Sequence, residues 1–184
     1  MDSLRGHLLL AATNLFDPNF RRTVVLITEH SDDGAMGLVL NRPAELPIDE
    51  TVPDLEVYAD GAEDRLFVGG PVSADSVIVL AEFEDPDRSA GIVLEQDIGF
   101  VPASAEDHEA LAAQLRRRRI FAGHSGWGPG QLEAELAEQA WIVEPATRED
   151  VFGTDPEELW ATVLRRKGGE YRLIATMPED PAAN

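Results

Sequence analysis

The chain has no cysteine, and lysine occurs once, at Lys167, among 15 basic residues. The first absence excludes disulfides, thiolate nucleophiles and zinc–thiolate sites. The second excludes a P-loop lysine and most Schiff-base schemes. Positive charge is scarce as a whole: 35 acidic residues against those 15 give a formal net charge of −20. Such a surface repels phosphate backbones and anionic lipid, so neither direct nucleic-acid binding nor membrane association is expected. Long apolar runs are missing too. The longest near the N-terminus, "LLLAA" (residues 8–12), is too short for a signal-peptide core or a membrane span, so the expected location is cytoplasmic.

Histidine is sparse and scattered: His7, His30, His108 and His124. His30 has Glu29, Asp32 and Asp33 around it, but the spacing matches neither the H-E-x-x-H helix nor the calcium loop. No metal and no cofactor is expected, and no catalytic residue is assigned.

What is present is enough apolar material, 43% of 184 residues, for one core. A single domain over 1–184 is expected, with a frayed tail from about 178, and a monomer. Strands are predicted over Gly6–Ala12, Thr23–His30 and Gly37–Asn41, the last two paired through the "SDDG" turn, with an earlier turn at Asp17-Pro18. A short helix is predicted near Ile48–Leu55, then strands at Leu66–Val72, Ser76–Glu84, one or two within "IVLEQDIGFVP", a short one at "RIFAG", and one in "AWIVEPA". Three helices are predicted. The first runs from a Ser104 cap through the four arginines Arg116–Arg119, and the second starts at Pro129. The third runs from an Asp155 cap, with Glu158 completing a capping box, to Gly168-Gly169. A last strand is predicted after Glu170. Strands outnumber helices without βαβ alternation, so the fold class is α+β.

Two kinds of motif could carry chemistry. "GHSGW" (123–127) begins like a nucleophile elbow, but its fifth residue is Trp127 and no histidine follows His124. Gly126, Gly128 and Gly130 precede a helix, but Pro129 deletes an amide and no Gly-Lys-Ser/Thr follows, so a structural corner is favoured over a phosphate cradle. In that corner Trp127 should be buried, and Gln131 should reach a neighbouring strand end at Asn41 or Gly70. Strand ends at Asn41-Arg42-Pro43 and Gly69-Gly70-Pro71 have the makings of a cleft or of ordinary turns.

These blocks, "GHLLLAATNLFDPNFRRTVVLITEHSDDGAMGLVLNRP", "LFVGGPV", "FAGHSGWGPGQLEAELAEQAW", "VFGTDPEELWATVLRRKGGEY" and "PEDPAAN", resemble the AlgH/YqgE family of bacterial proteins in order and across nearly the whole chain. The resemblance implies a bifurcated, mostly antiparallel sheet forming a pseudo-barrel with about three helices against it. It supplies no reaction, and it brings a label of transcriptional regulator. The family often carries Cys at the position of Thr28 and Tyr-Ala at His124-Ser125, so no conserved-thiol role operates here and Ser125 is further weakened as a nucleophile.

The functional expectation is a domain that binds a small molecule or protein partner at a cleft of His30, Asn41, Arg42, Gly69, Gly70, Pro71, His124, Trp127 and Gln131, with any regulatory role indirect. The alternatives are a metal-assisted or histidine-dependent hydrolase using His30 or His124 near Glu29 or Ser125, and a regulator acting directly on DNA. No helix-turn-helix pair is visible in the sequence to support the latter.

Overall fold

A computed structural model describes residues 2–13, 20–48, 53–59 and 64–177. The turn at Asp17-Pro18 and the tail from 178 lie outside the described residues.

The described strands are β1 (His7–Ala11), β2 (Val24–Ser31), β3 (Gly34–Val39), β4 (Pro43–Pro47), β5 (Arg65–Val68), β6 (Val72–Phe83), β7 (Ile92–Leu94), β8 (Ile98–Phe100), β9 (Leu115–Trp127) and β10 (Trp141–Pro145). They form one sheet in the order β10-β1-β2-β3-β9-β6-β8-β7, with β4 and β5 on a side branch. Every pairing is antiparallel except β5 with β9. The described helices are α1 (His108–Ala112), α2 (Gln131–Ala137), α3 (Arg148–Phe152), α4 (Pro156–Lys167) and α5 (Tyr171–Ile174), with a 3-10 turn at Pro53–Tyr58. None is long and apolar enough to cross a membrane. The molecule is therefore α+β.

The sheet forks at β9. Phe121 and Ala122 pair with β5, whereas Ser125, Gly126 and Trp127 pair with β3. The end of β5 fills the fork: Gly69 donates its amide to Ala122, and its carbonyl accepts from the Val39 amide and the Ser125 hydroxyl. The pseudo-barrel is not closed by hydrogen bonds. The sheet curls until Val93 of β7 faces Gly6, just before β1, but the ladder does not continue across the gap.

Strand alternation sorts the apolar residues into separate cores. Leu8 and Leu10, with Val24 and Leu26, face a central core shared with Trp160, Val163 and Leu164 of α4. Leu9 and Ala11, with Val25 and Ile27, face the other side, under Trp127, Leu132 and Trp141. A third core lies under the 3-10 turn and α1, where Val79, Ala81 and Phe83 of β6 meet Tyr58 and Leu111.

Several sequence expectations are corrected. The helix predicted from Ser104 is only His108–Ala112, capped by Asp107, and Arg116–Arg119 belong to β9. Four arginines can occupy a central strand because each guanidinium finds a fixed partner. Arg117 pairs with Glu82 at 2.7 Å, and Arg118 donates to the carbonyls of Tyr58 and Ala59. Arg119 donates to the Leu40 carbonyl and stacks 4.2 Å over Phe67. Desolvation lowers the Arg119 pKa to about 10, against the opposing charge of Asp64. Arg116 reaches Glu82 and Asp97 at 3.4 Å.

The second helix begins at Gln131 behind Gly130, two residues after Pro129. The third is as predicted from Asp155 to Gly168, but Asp155 caps the Glu157 amide without a reciprocal bond from Glu158. The predicted last strand is instead the short helix α5. Of the helix expected near Ile48–Leu55, residues 49–52 lie outside the described residues; Ile48 is helical, and a 3-10 turn runs from Pro53.

Glu82 is the hub of the largest ion-pair network among the described residues. It is 4% exposed and bonds Arg117, Arg116 and Arg148, and Arg148 also grips Glu95 and Asp97 in the β7–β8 turn. Burial works to raise the Glu82 pKa, but the Arg117 hydrogen bond and the charges of Arg117 and Arg148 outweigh it and hold the carboxyl below its ordinary range. A depressed folded-state pKa contributes stability above the unfolded carboxyl range that is lost as pH falls through the folded value. Glu82→Gln is therefore expected to destabilise by about 2–3 kcal/mol at neutral pH, below the usual cost of breaking a buried pair because the arginines stay partly solvated. The gap between parent and variant should narrow below about pH 4. Urea melts of both proteins across pH check this, and a gap independent of pH would contradict it.

Candidate functional site

The residues singled out in the sequence fall into local groups. Asn41 is a buried tie: its Oδ1 accepts from the Val24 amide at 2.9 Å and its Nδ2 donates to the Arg22 carbonyl at 2.8 Å. Arg42 donates to the carbonyls of Asn41 and Arg21. Both line a polar cleft of about 500 Å³ beside Arg22, Trp160 and Arg165. Gly69 and Gly70 adjoin this pair through a bond from the Val68 amide to the Arg42 carbonyl, and Gly70 packs on the backbone of His124 and Ser125. Pro71 is exposed, and His124, half-buried, sits opposite Val72.

The Gly-Trp-Gly loop is a structural corner. Trp127 is 6% exposed, edge-on to Trp141 at 6.1 Å. Both indole N–H groups donate to one oxygen of Glu135, at 2.9 and 2.7 Å. Gln131 does not reach Asn41 or Gly70. Its Oε1 accepts from the Gly128 amide and its Nε2 donates to Glu135, so it ties down its own turn.

His30 is fully occupied. Its Nδ1 accepts from the Leu4 amide at 3.0 Å, which places the ring proton on Nε2, and Nε2 donates to Glu133 at 2.9 Å. That hydrogen bond holds the Glu133 carboxyl below its ordinary range. A histidine so bonded ties the N-terminal segment to α2 and has no lone pair to spare as a general base. The Ser125 hydroxyl is buried and donates to the Gly69 carbonyl at 3.3 Å. Among the described residues no three His, Asp or Glu side chains converge as a metal site.

A different cleft has the form of a ligand site, and sequence reasoning missed it. It lies along β6 beyond its pairing with β8, where Val77, Ile78 and Val79 meet Phe100–Ala103, Leu55 and Met36, and it encloses about 520 Å³. Its walls are mostly apolar. The polar feature is a pair: the Tyr58 hydroxyl lies 2.5 Å from His108 Nδ1. Tyr58 is 1% exposed, and burial raises its pKa, so it stays a neutral phenol. His108 starts α1, and Tyr58 ends the 3-10 turn 50 residues earlier. The only local signal is His108 itself, a histidine within the helix predicted from Ser104.

The fold and these sites define an α+β domain with a forked sheet and a small apolar cleft. Ser125 and His30, two of the residues named for the hydrolase alternative, are committed to structural bonds. Residues 8–172 match the family described as AlgH-like, and the chain belongs to that family. A UPF0301 protein of Streptomyces avermitilis is 44% identical, the match covering 100% of this chain and 97% of that protein. One from Chlorobaculum tepidum is 37% identical over 97% of this chain and 95% of its own length. The solution structure of the AlgH protein from Pseudomonas aeruginosa aligns with a TM-score of 0.73 at 31% identity, covering 96% of this chain and 95% of that one. A crystal structure of a Corynebacterium diphtheriae protein aligns with a TM-score of 0.84 at 29% identity, covering 96% and 94%.

Proposed function

We propose that this chain is a non-catalytic cytoplasmic binding domain whose ligand, a small and largely apolar molecule, sits in the cleft beside β6. The observation that carries the reading is the cleft itself: about 520 Å³, walled by Val77, Val79, Phe100, Val101 and Pro102, with the Tyr58–His108 pair as its polar feature. Ligand sites in general combine such a volume and apolar lining with a few fixed polar groups. The cleft first expected at the strand ends has less in its favour, because Asn41, Gly70, Trp127 and Gln131 spend their bonds and contacts on the fold itself. A regulatory role would then be indirect, through the occupied cleft and a protein partner. The net charge of −20 opposes any direct approach to DNA.

Ala103 is exposed at the mouth of the cleft, so Ala103→Trp can plug it without touching the core. Nile red, an uncharged dye that brightens in apolar surroundings, is expected to bind the parent saturably and the plugged variant at least about tenfold more weakly, the equivalent of 1.4 kcal/mol. Equal brightening by both, with unchanged thermal melts, would remove the cleft as the site.

A further inference from the structure

The Tyr58–His108 pair is the polar feature of the cleft beside β6. The inference rests on the binding reading above. Tyr58 is 1% exposed, and its hydroxyl has one protein partner, His108 Nδ1. A buried phenol proton needs an acceptor. Were Nδ1 protonated, the two groups would have to meet with Tyr58 accepting, which would leave the phenol's own proton orphaned. The hydroxyl therefore donates to Nδ1, and the imidazole carries its proton on Nε2. No described protein group bonds that Nε2. His108 lines the cleft, so the ring adds a fixed N–H donor to an otherwise apolar wall.

Charge narrows the choice of acceptor. Among the described residues no lysine or arginine lines the cleft. A carboxylate or phosphate would find no cation to meet it and would lose its hydration to apolar walls. We propose that the ligand is an uncharged apolar molecule whose polar group is a hydrogen-bond acceptor, a ketone, ester or amide carbonyl, held by His108 Nε2–H. His108 is thus the specificity-determining residue. Tyr58 is a positioning residue that fixes the tautomer.

Three probes of one shape separate the possibilities: acetophenone, a neutral acceptor; ethylbenzene, which lacks the acceptor; and benzoate, which is anionic. Each is titrated into protein with labelled Val methyls and labelled imidazole nitrogens, at mildly alkaline pH where an imidazole is neutral. The free protein should show His108 in the Nε2–H tautomer, and Tyr58→Phe should release it into a mixture. Acetophenone should shift the Val77 and Val79 methyls together with His108 Nε2. It should bind about fivefold to tenfold more tightly than ethylbenzene, as one neutral hydrogen bond allows, and more tightly than benzoate. His108→Phe should bring the ketone and the hydrocarbon level. Equal binding of those two by the parent, an Nδ1–H tautomer, or a preference that survives His108→Phe would overturn the assignment of His108 while leaving the cleft as a binding site. If none of the three moves the wall methyls, the cleft reading falls and this assignment falls with it.

Discussion

Gly70→Ala is expected to cost at least roughly 3 kcal/mol, the upper end of what overpacking usually costs. A β-carbon on Gly70 would lie 2.2 Å from the His124 carbonyl carbon and 2.3 Å from both the His124 oxygen and the Ser125 nitrogen. These are backbone atoms of a central strand, so no side-chain rotation relieves the clash. The backbone at Gly70 also has φ +153°, which side-chain-bearing residues rarely adopt. The neighbourhood is interlocked: a β-carbon on Gly69 would meet the Gly123 carbonyl oxygen at 2.3 Å, and one on Gly123 would meet the Gly70 oxygen at 2.6 Å. Three glycines let the end of β5 enter the fork between β3 and β9. Gly130→Ala is the control, because its φ is also positive at +73° but nothing lies within 4 Å. That variant should lose only about 1 kcal/mol, the ordinary cost of a left-handed position. Urea denaturation distinguishes them, and a Gly70→Ala protein as stable as Gly130→Ala would mean that the strands part easily at the fork.

Trp127→Ala should cost about 3–5 kcal/mol, as large aromatic deletions from cores do. The indole packs against Trp141 and Leu132 beneath α2, and its N–H shares the Glu135 carboxylate with the indole of Trp141. Removing the ring opens a cavity and takes one donor from that carboxylate, although Trp141 and Gln131 still bond it. Ser125→Ala should cost only about 1 kcal/mol, the net worth of one hydrogen bond. The Gly69 carbonyl it leaves still accepts from the Val39 amide. Paired thermal melts decide the point: a Trp127→Ala protein that melts with its parent would make the corner a surface loop.

The sequence was most legible where local chemistry and tertiary context agree. The Thr23–His30 and Gly37–Asn41 runs form the β2–β3 hairpin, the Asp155–Pro156 start and Gly168 end bound α4, and the buried Trp127 corner was foreseen from its glycines and apolar neighbours. It misled where long-range partners override propensity. Leucine, alanine, glutamine and arginine favour helix, and "SAEDHEALAAQLRRRR" reads as one. The partners that make Arg117, Arg118 and Arg119 strand residues lie at Glu82, Tyr58 and Leu40, tens of residues away. The same distance hid the cleft, because Tyr58 and His108 become a pair only after the 3-10 turn and α1 pack on one side of β6. The glycine pair at 69–70 was legible as unusual, but not as a backbone crossing, since the strand it crosses lies more than fifty residues ahead in the chain.

Methyl NMR of the parent protein against a panel of small uncharged aromatic and aliphatic compounds tests the binding reading most directly, because it reports the apolar cleft and the polar strand-end cleft at once. Compounds that bind should move the Leu55, Val77, Val79 and Val101 methyls beside the Tyr58–His108 pair and leave distant reporters still. Binders that instead shift Ala161 and Ala175, in the polar cleft beside Arg22, Arg42 and Arg165, would place the site there and contradict the account.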